Sequence, residues 1–367
     1  MNTAAIEQEV MEDDQATQED TSKVLDVRLH QINHDLKKAV PIDVSSANTD
    51  LQSYLALLRK SINEQQEKRS YLFASDTTEF NSSLSDFFMS ETLEGRSNAL
   101  AHRLLLKEMS TEESYGHLAG GRERLLNKGS FLQFLFTSDG LISYLGVKIE
   151  HESFLDENDL KRKSGLPEKS RIYKACMVNF DENGNRLEAL VFETKKSRYW
   201  WDGFLELQMK IGDEENTQRA VKAVIKVLNR RVKERFPADY TELRNIVVGE
   251  FKKKGRMNYY EFINNLFKSY EYKDPGLVTE VPGVLKKLRE APKSPTQGFD
   301  TQFDLVPKAV PFRQVKINLT PEVELIYSDG MTNISDVIWS EETNEGKKLV
   351  VIHSPVGFSR FEKKLRA

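Results

Sequence analysis

The sequence predicts an α+β protein: an antiparallel sheet with flanking helices, a helical region bearing a basic ridge, and a small C-terminal β-element. Three observations point there. Apolar runs of strand length bracket clear turn signals in the middle of the chain. Apolar residues recur at helical spacing on both sides of that stretch. Period-two alternation returns after residue 312.

The elements follow in chain order. Residues 7–20 hold Glu7, Glu9, Glu12, Asp13, Asp14, Glu19 and Asp20 with no Lys or Arg, so 1–22 reads as a disordered acidic tail. Residues 24–32 alternate, which predicts a strand with His30 on its polar face. His30 and His34 would share a face only in a helix, so no metal pair is expected from them. Leu51, Tyr54, Leu55, Leu58 and Ile62 mark an amphipathic helix over 49–66. Asp76-Thr-Thr-Glu79 reads as a capping box that opens a helix with Phe80, Leu84, Phe87 and Phe88. A third helix is predicted over about 96–110, carrying Leu100, Leu104 and Leu105. Phe131–Phe136 and Tyr144–Ile149 then flank Ser138-Asp139-Gly140, a hairpin signal. Residues 171–180 and 187–193 flank a turn at Asp181–Gly184, completing a four-stranded, mainly antiparallel sheet.

Residues 198–270 are predicted helical throughout, the first helix carrying Trp200, Trp201, Phe204, Leu205 and Leu207. A ridge helix spans about 216–235, and two more lie near 239–253 and 257–270. Six of the eleven prolines fall in 274–311, read as a long connector with one helix near 282–290. The divisions expected are a tail at 1–22, an α+β domain at 23–195, a helical basic region at 196–273, the connector at 274–311 and a β-element at 312–367. No repeat of 20–50 residues is present.

Composition bounds the function. The 367 residues are 39% hydrophobic and 30% charged, with a formal net charge of −4. That total hides the dense basic clusters of 195–256, and the local field decides what binds. The one cysteine, Cys176, can form no intrachain disulfide and supports no zinc site. The acidic N-terminus is no secretory signal, and no apolar run reaches the length of a membrane span, so a cytoplasmic protein without a membrane role is expected.

The most informative motif is a stripe of five basic residues on the ridge helix: Arg219, Lys222, Lys226, Arg230 and Lys233. At about 100° per residue they fall within an arc of roughly 80°. Val221, Val224, Ile225, Leu228 and Val232 cluster nearly opposite. One face packs on a core while the other suits a polyanion. The bland alternative is a solvated helix face, but basic residues continue on both sides: Lys195, Lys196 and Arg198 before it, and Lys252, Lys253, Lys254 and Arg256 after it. These twelve residues are the expected DNA contacts. None is aimed at base edges, so binding should be salt-sensitive and weakly sequence-specific.

Other motifs are weaker. Glu193-Thr-Lys195 with Asp181 upstream has the look of a restriction-type nuclease core, in which carboxylates hold Mg²⁺ and the lysine helps activate water. The alternative is a surface strand end that begins the basic patch. Gly116-His-Leu-Ala-Gly-Gly121, followed by Arg122 and Arg124, follows a helix rather than a strand and so fits no nucleotide fingerprint. His151 and Glu152 beside Asp156 and Glu157 read as an acidic loop. Tyr199, Trp200, Trp201 and Phe204 beside the lysines could stack on bases, although at helical spacing a core role is the stronger reading. No cofactor or metal site is expected.

Several stretches resemble the bacterial nucleoid-associated protein family of the NdpA/YejK type. They are Leu29-His30-Gln31 in the opening strand, Lys68–Phe73 and Gly121–Arg124 ahead of the Gly129–Phe136 strand. Tyr144–Val147, Lys195–Arg198 with Trp201–Phe204, and the helix from Asn216 continue the similarity. The acidic extension and the long proline-rich segment depart from it. The resemblance implies association with DNA in the nucleoid, a dimer and contact with topoisomerase machinery, and it implies no enzyme. The function expected is therefore a non-enzymatic, nucleoid-associated protein that reads the phosphate backbone, with duplex DNA as the expected partner. The alternatives are a Mg²⁺-dependent nuclease or DNA-sensing component of phage defence, and a protein-interaction module.

Overall fold

The computed structural model describes residues 23–45, 48–64, 68–118, 129–138, 140–155, 162–165, 174–193 and 197–361. The acidic tail, Gly120–Arg124, Asp139, Asp156, Glu157, Lys195 and Lys196 lie outside the described residues. Two compact units divide between Gly212 and Asp213.

The first unit opens with the hairpin β1 (Lys23–Asn33) and β2 (Lys38–Ile42). Then come α1 (Thr49–Glu64), β3 (Arg69–Phe73), α2 (Glu79–Ser90) and α3 (Ser97–Tyr115). Three hairpins follow: β4 (Gly129–Ser138) with β5 (Leu141–Glu150), a small β6 (Glu152–Leu155) with β7 (Arg162–Gly165), and β8 (Lys174–Phe180) with β9 (Arg186–Glu193). A π-helical turn at Tyr199–Phe204 leads into β10 (Leu207–Met209). All strands but β6 and β7 form one eight-stranded sheet in the order β10-β3-β9-β8-β5-β4-β1-β2, paired antiparallel throughout.

The near-continuous apolar character of β4 has a direct cause. The sheet is covered on both faces, and period-two alternation divides its side chains between two cores. Phe131, Leu135, Tyr144, Cys176, Val178 and Val191 meet α2, α3 and the aromatic turn. Leu132, Phe134, Phe136, Leu145, Val147 and Met177 meet Leu55, Leu58 and Ile62 of α1. The buried Gln133 is satisfied: it donates to Ser97 O at 3.0 Å and accepts from Tyr144 Oη at 3.2 Å. In the Asp181–Gly184 turn, Gly184 has φ +78°, the left-handed conformation that glycine adopts at least cost.

Several expectations need correction. The sheet has eight strands rather than four, because β1, β2, β3 and β10 complete it; β3 and β10 are too short to show a periodic signal. His30 is buried at 2% exposure, since the helix α3 covers that face and Asn98 Oδ1 lies 2.5 Å from its Nε2. The capping box does not form: Thr78 is the N-cap without a side-chain bond, and Glu79 pairs with Arg103 instead. Tyr199–Phe204 is a short π-helix rather than an α-helix running on to Leu207, which belongs to the sheet. His151 is half-buried, not exposed, with Ser130 Oγ at 2.8 Å.

A buried charged cluster ties α3 to the sheet. Lys148 Nζ lies 2.9 Å and 3.0 Å from the two oxygens of Glu108, and His34 Nε2 lies 2.8 Å from Oε2. Burial works to raise the Glu108 carboxyl, but Lys148 and His34 outweigh it and hold the group below the usual carboxylate range.

The second unit packs α4 (Asp213–Arg231), α5 (Pro237–Phe251), α6 (Tyr259–Lys268) and α7 (Gly276–Glu290) around one core, with β11 (Arg256–Asn258) paired to β12 (Gln302–Asp304). Residues 274–311, expected as a connector, are part of this core. Leu277, Val281, Val284, Leu285 and Leu288 are buried, and Pro282 interrupts one backbone bond of α7 without ending it. The fully buried Asp239 accepts from Tyr270 Oη, Lys273 N–H and Asp274 N–H at 2.9, 2.8 and 3.1 Å. The chain ends in two separate hairpins, β13 (Gln314–Thr320) with β14 (Val323–Ser328), and β15 (Ile338–Glu342) with β16 (Lys348–Ile352). The one-turn helix α8 (Ile334–Val337) joins them, and α9 (Pro355–Phe361) follows. No described helix is long and apolar enough to cross a membrane.

Two outcomes follow. Phe131→Ala, which removes a fully buried ring packed edge-on to Trp200 and Phe204, should cost about 3–5 kcal/mol in urea unfolding. The depressed Glu108 pKa contributes stability that is fully present above the ordinary carboxylate pKa and is lost as pH falls through the folded value. Glu108→Gln should therefore flatten the acid limb of the stability curve below about pH 4, read by urea midpoints across pH.

Candidate nucleic-acid interface

The helix α4 begins with Asp213, Glu214 and Glu215 and ends on Arg230 and Arg231, charges that complement its dipole. Its apolar stripe is sealed: Val221, Val224 and Leu228 are 0% exposed and Ile225 is 3% exposed. Its start is pinned by a reciprocal pair. Asn216 Nδ2 donates to Asp300 Oδ2, and Asp300 N–H donates to Asn216 Oδ1, both at 2.8 Å. Asp213 and Thr217 accept from the backbone N–H groups of Asp304 and Val306, each at 3.1 Å. A helix held this way can turn only its basic face outward.

That face borders a groove of about 450 Å³, closed on its far side by the end of α7 and the turn at Ala291–Lys293. Arg219, Lys222, Lys226 and Arg230 of the ridge line it over Ala223 and Val227. Arg231 and Lys287 line it too, and neither belongs to the expected set. Lys287 was visible as part of the Lys286-Lys287-Leu288-Arg289 run, but only the packing of α7 against α4 brings it here. The groove's single lining carboxylate, Glu290, lies 2.8 Å from Lys287 Nζ. Lys222, Lys226 and Arg230 are exposed, and no carboxylate pairs with them among the described residues. Arg219 is held by Glu215 and by Gly298 O at 2.7 Å. Lys233, just past the helix, lies over the Tyr240 ring at 5.8 Å.

The remaining expected residues do not join this groove. Lys252 donates to the Asp329 carbonyl and Lys253 pairs with Glu250. Lys254 is exposed and, with Arg256, borders a different depression beside Pro307 and Lys308. Arg198, in the first unit, pairs with Asp202 at 2.8 Å. Lys195 and Lys196 lie outside the described residues. Charge divides the same way: from Asp213 onward the chain carries 27 Lys and Arg against 22 Asp and Glu, and up to Gly212 it carries 26 against 35.

The two competing sites fail on geometry. Trp200, Trp201 and Phe204 are 0%, 8% and 0% exposed, so they form core and cannot stack on bases. Lys174 pairs with Glu193 and Phe180 with Arg186, which sets Glu193 at the end of the β8–β9 hairpin opposite the turn holding Asp181. About 23 Å of strand separates those ends, at ~3.3 Å per residue, far beyond a shared Mg²⁺. Asp181 instead closes its own turn, and bonds from Asn185 and Asn183 hold its carboxyl below the usual range. Glu193 accepts from Ser197 N–H at 2.9 Å, and Lys174 Nζ donates to Ser197 Oγ at 2.8 Å. Burial lowers the Lys174 ammonium against the pull of Glu193. Among the described residues no group of three or more His, Cys, Asp or Glu is placed to hold a metal ion.

Among known families, a model described as nucleoid-associated protein YejK matches residues 29–326, a span that includes the whole groove. No curated protein matches the chain.

Proposed function

The chain belongs to the nucleoid-associated protein YejK family, and from that premise we propose that it binds duplex DNA through the α4 groove, reading phosphates rather than bases. The observation that carries this is the row Lys222, Lys226 and Arg230, exposed and without carboxylate partners among the described residues. Successive members are about 6 Å apart along the helix axis. Duplex DNA carries one phosphate per strand every ~3.4 Å of axis, so the row can follow three to four phosphates of one strand. Arg219 is fixed by Glu215 and Gly298, while the others are exposed and carry no carboxylate partner among the described residues.

Duplex is favoured over single strands because no aromatic residue lines the groove and the Trp200–Trp201 pair is buried. Single-strand binders draw on exposed aromatic faces for stacking. Weak sequence preference follows from the same composition, since lysines on phosphates fix register without reading base edges.

The test is a titration of duplex and single-stranded DNA at several salt concentrations, with wild type and Lys222→Glu/Lys226→Glu/Arg230→Glu. All three positions are exposed, so the fold should hold, as circular dichroism would verify. The variant should bind at least 100-fold more weakly, and its log K against log salt slope should fall by about 2.7, for three lost phosphate contacts. An unchanged slope would place the DNA contact elsewhere.

A further inference from the structure

The two walls of the α4 groove differ in charge. On α4, Lys222, Lys226 and Arg230 stand exposed without carboxylate partners among the described residues. The opposite wall, the end of α7 and the turn after it, lends the groove one cation, Lys287, and one carboxylate, Glu290. These two are paired at 2.8 Å. Their side chains are 48% and 50% exposed, so neither fills the core. The hydrogen bond from Lys287, with Lys286 and Lys293 nearby, holds the Glu290 carboxyl below the usual carboxylate range. Glu290 is therefore charged at neutral pH.

Helix energetics supply no reason for an acid at this position. Glu290 is the last residue of α7, where the helix dipole presents its negative end and favours cations. Lys287 and Arg289 in the same turn obey that preference, and Glu290 opposes it. The order of the pair is also the weaker one on a helix, because the lysine precedes the glutamate. Among the described residues the Glu290 carboxylate hydrogen-bonds to Lys287 alone. Its one partner and its surroundings both belong to the groove.

We propose that Glu290 stands in for a DNA phosphate on Lys287, holding that lysine out of the contact and limiting how tightly and how salt-sensitively the groove binds DNA. This rests on the DNA reading of the α4 groove. The salt slope counts phosphates that the protein neutralises. A lysine already neutralised by a fixed carboxylate adds nothing to that count. With Glu290 charged, the row on α4 carries the backbone from one side. With Glu290 neutral, Lys287 joins from the opposite wall, and the same strand is held from both sides.

The test is a duplex DNA titration of the full chain between 50 and 200 mM salt, with Glu290→Gln, Lys287→Gln and the double variant. Because Glu290 opposes the helix dipole, Glu290→Gln should keep the wild-type circular dichroism and urea midpoint. Its log K against log salt slope should steepen by about 0.9, for one added phosphate contact. Its gain in affinity should then be roughly threefold larger at 50 mM than at 200 mM salt. Lys287→Gln alone should leave the slope at the wild-type value, and adding it to Glu290→Gln should return the slope to that value. A Glu290→Gln slope equal to wild type, a steepening that survives loss of Lys287, or a flattened slope in Lys287→Gln alone would each overturn the proposal. The two readings fail separately. If Lys222→Glu/Lys226→Glu/Arg230→Glu binds DNA as wild type does, the groove reading falls and the role of Glu290 with it. If that variant loses DNA while Glu290→Gln matches wild type, only the role of Glu290 falls.

Discussion

The burial of one stripe of α4 is the constraint on which the second unit depends. Val221, Val224, Ile225 and Leu228 are enclosed by α5, α7 and the segment that ends in β12. Once that stripe is sealed, the geometry of an α-helix leaves the opposite face no choice but solvent. The Asn216–Asp300 pair and the bonds to Asp213 and Thr217 remove the remaining freedom, rotation and sliding of the helix on its core. The basic ridge is thus held by apolar packing rather than by its own charges. Three exposed cations stay without carboxylate partners among the described residues, because the packing of the helix does not rely on them.

The first unit uses charge in the opposite sense. Glu108, Lys148, Lys174 and Glu193 are turned inward, all below 9% exposure. Each is satisfied locally: Lys148 and His34 meet Glu108, and Ser197 links Lys174 to Glu193. Buried charges must be paired or they unfold the region around them. The same residue types therefore do different work in the two units. In the first they lock helix, sheet and turn together, and on the α4 ridge of the second they face outward.

The sequence disclosed what depends on local periodicity. The strand over 24–32, the amphipathic helices carrying Leu55 and Leu104, the Asp181–Gly184 turn and the two faces of α4 were all legible, because the spacing of apolar residues reports which side of an element is buried. Four of the twelve expected contacts, Arg219, Lys222, Lys226 and Arg230, line one groove. They were findable together because they share one helix. Arg231 and Lys287 were not, since a groove between two helices has no signature in either one. Pro282 obscured α7 because proline is a reliable breaker only on average; here the tertiary packing of Val281, Val284 and Leu285 overrides it.

By itself, then, the sequence determined the fold class, the amphipathic character of each long element and the existence of a basic helix face, since these rest on residue spacing within a few turns. Only the tertiary structure decided which short segments complete the sheet, that Trp200 and Trp201 are core, that His30 is enclosed, and that Asp181 and Glu193 lie at opposite ends of a hairpin. Those outcomes rest on strand order and on partners tens of residues away. A buried position is defined by what covers it, and the cover here comes from another part of the chain.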